Sequence, residues 1–420
     1  ADPRPAPTPP PLVESHRRRR RRLHVLFGRK EAPGFGPWKT LGSKISKRCF
    51  WKHHVWSDYV VRHKRILSGA APPRYLIFER DTMGQGVGAT LRGLYLCFYM
   101  ALASGRALLI KWELPVEIED VFNPKDVDWR WSSHKSKVND FGGSDHKHVK
   151  FINEQTSEKK TRKLIRQMES DTKAVYFETN MDARSWAETL RFGIFGEPEL
   201  TVRRLSRGIN RIPGCAFHSL FSFRERGAFA DLWKNTDAQV PPGPRLGIHI
   251  RVGDYSWQES SKDKRPVIFD KRWGLGKPSE AGRQTVECAQ QLARQVGFQP
   301  PCAIIFESDN REAKKAAKKA GRNGWPCQSW ISKKDPAHAS MTREMKKARE
   351  AWVALVMLSG VEVLIASQST FSATAGAVGP GLVEPRRVVD FEEAIQRRAR
   401  KKGVSKNDTT NLCWIPDEQA

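Results

Sequence analysis

Leu246-Gly247-Ile248-His249-Ile250-Arg251-Val252-Gly253-Asp254 opens on an apolar run that reads as a buried strand. The run ends in Arg251, then a glycine, then the acid Asp254. A guanidinium at a strand exit can grip phosphate oxygens at two points, because its donors lie in a planar fork. In open α/β sheets ligands sit beyond the carboxyl ends of the strands. This stretch therefore predicts an α/β fold with a phosphate-bearing ligand at the edge of a sheet.

Two further strand ends in the same half carry polar groups. Cys302–Glu307 reads as a strand closing in Ser308, Asp309 and Asn310, and Val361–Ala366 as another. Ser367-Gln368-Ser369-Thr370 follows the latter and opens a small-residue helix, Phe371–Val378. A helix start offers unpaired N–H groups and partial positive charge, so Ser369, Thr370, Phe371 and Ser372 suit an anion. Asp309 can accept from a base or from ribose hydroxyls. Each group has a plainer role: Arg251 could pair with Asp254, while Ser369 and Asp309-Asn310 could cap helices. Together they describe a nucleotide diphosphate pocket.

Upstream, Arg74–Glu79 reads as a strand, Gly84-Gln85-Gly86-Val87-Gly88 as a glycine loop, Ala89–Ser104 as a helix stopped by Gly105, and Ala107–Ile110 as a second strand. The loop lacks the dinucleotide register and could simply make a tight turn. Arg92 falls on the first turns of the helix, toward the cleft. Alternating strands and helices in both halves predict two doubly wound domains facing a cleft. The expected division is a basic Pro/Arg-rich stem over 1–70, an N-terminal domain over 71–240 with an irregular insertion at 124–163, a C-terminal domain over 244–405 and a tail over 406–420. Pro241–Pro244 is the linker between the domains.

The chain has 420 residues and a net charge of +27, from 73 Lys+Arg against 46 Asp+Glu. Such an excess favours anionic partners. Arg17–Arg22, after a Pro-rich start, reads as a solvated stem, with a polyanion-binding arm as the alternative. The Lys-rich helix Lys314–Lys319 has no interleaved aromatics and reads as a solvated face, so nucleic acid is not the expected partner. Asp126-Val127-Asp128 has a spacing that can bind a divalent ion, but it sits away from any clear strand end, and no metal is expected. No apolar run reaches the roughly 20 residues of a membrane span, and no signal peptide is visible. Of seven cysteines, Cys302 and Cys327 flank a strand–helix unit and could be bridged, and Cys97 reads as a buried thiol. Asn407-Asp408-Thr409 is a glycosylation pattern.

On three blocks the chain resembles the inverting, metal-independent fucosyltransferase superfamily, most nearly the plant-type xyloglucan α1,2-fucosyltransferases and their algal or protist relatives. The blocks are Gly84–Trp112, the Arg251 segment and Leu364–Gly379, with Cys215–Phe221 a weaker fourth. The resemblance implies a GT-B fold of two Rossmann-like domains, a GDP-fucose donor, a glycan or glycoprotein acceptor, no cofactor, and a Golgi or other secretory-lumen location with a type II anchor absent from this chain. It implies that Arg251 binds the diphosphate and that His249 borders the nucleotide. Ser369, Thr370 and Phe371 would line the phosphate and nucleoside pocket, and Gly84–Gly88 with Arg92 the opposite wall. Asp254 and Glu259 are candidates for the base. The insertion at 124–163 and Gly253 depart from the family pattern and leave the acceptor open. A GT-B enzyme using another sugar nucleotide, or a non-catalytic polyanion-binding protein, are the alternatives.

Overall fold

The structure is a computed structural model that describes residues 54–80, 86–151, 163, 166–168, 170–181, 212–251, 277–322, 326–332, 345–367, 369–379 and 388–391. The first lobe begins with α1 (His54–Ser68), β1 (Tyr75–Glu79), α2 (Val87–Ser104) and β2 (Ala107–Lys111). It continues through α3 (Ile118–Val121), β3 (Phe122–Pro124), α4 (Trp131–Asn139), β4 (His146–Phe151) and β5 (Ala174–Thr179). Helix α5 (Ile212–Leu220), β6 (Phe221–Phe223) and α6 (Ala228–Asp237) lead to the second lobe. That lobe contains β7 (Arg245–Ile250), α7 (Pro278–Gln295), β8 (Ala303–Ser308), α8 (Arg311–Gly321) and β9 (Gln328–Ile331). Helix α9 (Met345–Ser359), β10 (Val363–Ala366), α10 (Thr370–Val378) and β11 (Val388–Asp390) complete it.

Two parallel sheets result, ordered β2-β1-β5-β4 and β11-β10-β7-β8-β9, so the chain has the Rossmann-like two-lobed α/β fold expected from its strand–helix alternation. Each sheet is covered on both faces, which is why its inner strands are apolar throughout. Leu76 and Phe78 of β1 and Val175 and Phe177 of β5 face a central core. That core is shared with Ile305 of β8, Leu364 of β10 and helices α2, α9 and α10. The alternate residues Tyr75, Ile77 and Leu109 pack outward on α1 and α4. In the second lobe Ile248, Ile304 and Ile365 pack outward on α7 and α8. Trp352 of α9 sits 5.3 Å from Trp112 and 5.4 Å from Phe122, joining the lobes through large rings. A hydrophobic contact of this extent opposes loose hinging of the lobes.

Helix α2 runs through the centre of that core. By length and hydropathy it could span a membrane, but most of it is buried among the other elements. It stops at Gly105, whose φ of +62° gives the left-handed turn that closes a helix.

Two expectations need correcting. Residues 54–68, assigned to a stem, form α1, which covers the edge strand β2. The Tyr59 hydroxyl donates to the Arg106 carbonyl at 3.0 Å and accepts from the Leu108 N–H at 3.3 Å, and His63 donates to the Leu108 carbonyl at 3.1 Å. An unpaired strand edge is thereby satisfied. The segment 124–163, assigned to an irregular insertion, holds α4 and β4, and β4 pairs in parallel with β5.

Candidate active site

In the second sheet β7 is flanked by β8 on one side and β10 on the other, so the strand order reverses there. Open parallel sheets bind ligands at such a reversal. Arg251 leaves β7 at this point, Asp309 follows β8, and Ser367 follows β10. The Arg251 Nε lies 2.7 Å from Asp309 Oδ2, with the guanidinium side chain 34% exposed and the carboxylate 15%. The backbone is locked as well: the Arg251 N–H donates to Ser367 Oγ at 2.9 Å, and the Ser367 N–H donates to the His249 carbonyl at 3.0 Å. A carboxylate behind the guanidinium and a hydroxyl on its backbone hold one cation at the rim of the sheet.

Helix α10 starts after the neighbouring strand, β10. Ser369 is the N-cap, its hydroxyl accepting from the Ser372 N–H at 3.0 Å. Thr370 and Phe371 are the first two helical residues, whose N–H groups have no intrahelical acceptor, so the helix tip carries partial positive charge. The capping role and the anion role are therefore compatible. On the β8 side the two roles separate: Asn310 caps α8 by accepting from the Ala313 N–H at 3.0 Å, while Asp309 pairs with Arg251. Asp309 thus holds the guanidinium through one carboxylate oxygen, Oδ2.

His249 points to the central side of β7, and its Nδ1 lies 2.5 Å from the fully buried Ser372 Oγ. Its ring is 4.8 Å from that of Phe371. Burial, then the charges of Arg251 and Lys314, lower its pKa to about 3, so the ring is neutral at pH 7. Ser372 also contacts Ser369 Oγ at 2.8 Å and Ser367 Oγ at 3.4 Å. This hydroxyl cluster ties the ends of β7 and β10 to the tip of α10. A neutral histidine there orients its neighbours without adding charge.

The first lobe meets α10 at both ends. Gly88, in the first turn of α2, lies against the backbone of Thr370 and Phe371; a Cβ on it would come within 2.7 Å of the Phe371 nitrogen. At the far end, His218 of α5 donates from Nε2 to the Val378 carbonyl at 2.8 Å. Burial lowers the His218 pKa to about 4, which keeps it neutral. Gly86 caps α2 in an extended conformation, and Arg92 is half-buried on its second turn. Gly84, Gln85, Asp254 and Glu259 lie outside the described residues.

Asp126 and Asp128 are engaged elsewhere. Asp126 accepts from Trp56 Nε1 at 3.3 Å, and Asp128 takes two bonds of 2.8 Å from Arg130 and one contact of 3.2 Å from His134. Those contacts hold the Asp128 pKa down at about 2 despite partial burial. Among the described residues no group of three or more metal-ligating side chains is assembled. Ser367 and His218 were not singled out as site residues by sequence reading; each lies within a quoted segment, but its contact depends on strand order or on docking between lobes.

No protein-family model matches the chain, and no curated protein matches it in sequence. Among solved structures it aligns with a mutant of Arabidopsis thaliana FUT1 in complex with GDP, at 13% identity and a TM-score of 0.49, over 84% of this chain and 79% of that one. It aligns with POFUT1 in complex with GDP at 11% identity and a TM-score of 0.42, over 76% and 99% of the two chains. With POFUT1 in complex with GDP-fucose the values are 12% and 0.41, over 74% and 96%. At this identity and TM-score the alignments transfer no residue role to this chain.

Proposed function

We propose that the chain transfers fucose from GDP-fucose to a hydroxyl of a glycan or glycoprotein, with inversion and without a metal. One observation carries the reading: Arg251, held by Asp309, leaves β7 and α10 opens after the neighbouring strand β10, so both meet the strand-order reversal. That is the placement needed for a nucleotide diphosphate. The choice of fucose and guanine rests on the sequence blocks around Gly84, Arg251 and Ser369.

The acceptor oxygen attacks the anomeric carbon from the face opposite the diphosphate and gives its proton to a base. The new carbon–oxygen bond forms as the bond to the β-phosphate breaks, and GDP leaves with the electron pair. Charge grows on the departing phosphate, where Arg251 and the Thr370 and Phe371 N–H groups stabilise it. Asp254 is the proposed base. A chelator should leave turnover intact, and complete loss would contradict the metal-free reading. The disulfide Cys302–Cys327 and the Asn407 acceptor pattern support an oxidising secretory compartment.

Turnover of GDP-fucose by Arg251→Ala tests the proposal. A loss of about 10²–10³-fold is expected for one removed electrostatic stabiliser. Arg251→Ala turning over like the unaltered protein removes the phosphate role.

A further inference from the structure

Helix α8 leaves the site at Asn310 and runs along the outside of the second lobe. Its sequence, Arg311–Gly321, does not expose its lysines evenly. Ala313 and Ala317 are buried, and Lys314 turns inward to Glu307 at 3.3 Å. Lys315, Lys318, Lys319 and Arg322 are all exposed. At 3.6 residues per turn these four fall within an arc of about 100°, and they span about 10 Å at 1.5 Å per residue. None of the four is in an ion pair among the described residues. The only acid on the helix is Glu312, in its first turn. Arg311 extends the row to the rim of the site, two residues from Asp309. The row is also rigid, because Cys302 and Cys327 are bridged across the β8–α8–β9 unit.

We propose that Lys315, Lys318, Lys319 and Arg322 form a docking ridge for an acidic polysaccharide, carboxylated or sulfated, that lies alongside the donor site. Four cations along one line match a polymer bearing one anion per repeat. The ridge has no aromatic side chain on which bases could stack, which disfavours single-stranded nucleic acid. It exposes no large apolar side chain to enter a lipid headgroup layer. It also lacks the aromatic anchors that carry protein–protein affinity. The preference for a polysaccharide over an acidic peptide rests on the proposed sugar transfer; the charge pattern does not.

The test uses the full chain with Lys315→Gln, Lys318→Gln, Lys319→Gln and Arg322→Gln combined. Binding to dextran sulfate and to polygalacturonate is titrated against salt, beside polyglutamate, a single-stranded oligonucleotide and phosphatidylserine vesicles. The same measurement is made with Arg17–Arg22 changed to Gln, to separate the arginine tract. The ridge variant should lose about tenfold or more in affinity for at least one of the two polysaccharides. Its salt dependence should flatten by roughly the number of cations removed. Unchanged polysaccharide affinity overturns the ridge, as does tighter binding of polyglutamate, oligonucleotide or vesicles than of either polysaccharide. GDP stabilisation is recorded in parallel. Loss of polysaccharide with GDP binding retained supports the ridge. GDP failing to bind even the unaltered chain removes the donor reading and leaves the ridge standing on its own titration.

Discussion

Gly88→Ala perturbs the candidate site from the opposite lobe. The added Cβ would lie 2.7 Å from the Phe371 nitrogen and from the Thr370 carbonyl carbon and oxygen, where ordinary contact begins near 3.4 Å. The two backbones must therefore separate by about 0.7 Å, since neither partner is a side chain that can rotate away. Overpacking of this kind costs about 1–3 kcal/mol. The helix-propensity gain of Ala over Gly, at most about 1 kcal/mol, is reduced in a first turn and does not offset it. The displaced groups are the N–H donors at the tip of α10. Calorimetric titration with GDP should show affinity weakened about tenfold, the equivalent of 1.4 kcal/mol, with a lower donor kcat/KM. Gly142→Ala, which meets nothing within 4 Å, is the matched control and should be silent. Unaltered GDP affinity and turnover in Gly88→Ala would refute the claim that the first lobe holds the anion-binding helix tip.

His218→Ala should leave the Val378 carbonyl without its buried donor, lowering stability by about 1–3 kcal/mol. It should also raise the GDP dissociation constant, and His218→Gln, which keeps a donor, should recover part of both; equal effects of Ala and Gln on GDP binding would contradict the positioning role. A pH effect follows from three buried histidines. His63 and His218 have folded pKa values of about 4 and His249 about 3, against 6.5 unfolded, so the unfolded chain binds more protons below pH 6.5. Stability should be full above pH 6.5 and fall as pH drops, levelling only below pH 3–4. At pH 5 the loss is about 2 kcal/mol per histidine, about 6 kcal/mol for three as an upper bound. Urea midpoints that stay flat between pH 7 and pH 5 would contradict this.

The inner strands were legible because burial on both faces leaves apolar runs ending in marked residues, such as Leu246–Ile250 before Arg251. Helix α2 was legible from its apolar spacing and its glycine stop. Strand β4 was not, because it carries His146, Lys147, His148 and Lys150, and of its described side chains only Val149 is buried. Helix α1 has Trp56, Tyr59, His63, Ile66 and Leu67 at helical spacing, but the basic stretch before it dominates the composition. At the site, Arg251, Asp309 and Ser369 could each be recognised as strand-end groups. That Arg251 pairs with Asp309 depends on β8 being its neighbour, a fact of strand order that spacing does not carry. His218 reaches Val378 only because the lobes dock through a shared core.

The most direct measurement is the thermal stabilisation of the chain and of Arg251→Ala by GDP and by UDP. GDP should stabilise the unaltered chain, by about 2.7 kcal/mol at a hundred times its dissociation constant. UDP should do far less, and Arg251→Ala should lose most of the GDP effect. Equal or greater stabilisation by UDP would contradict the GDP-fucose assignment. A GDP effect undiminished in Arg251→Ala would contradict the placement of the phosphate at the exit of β7.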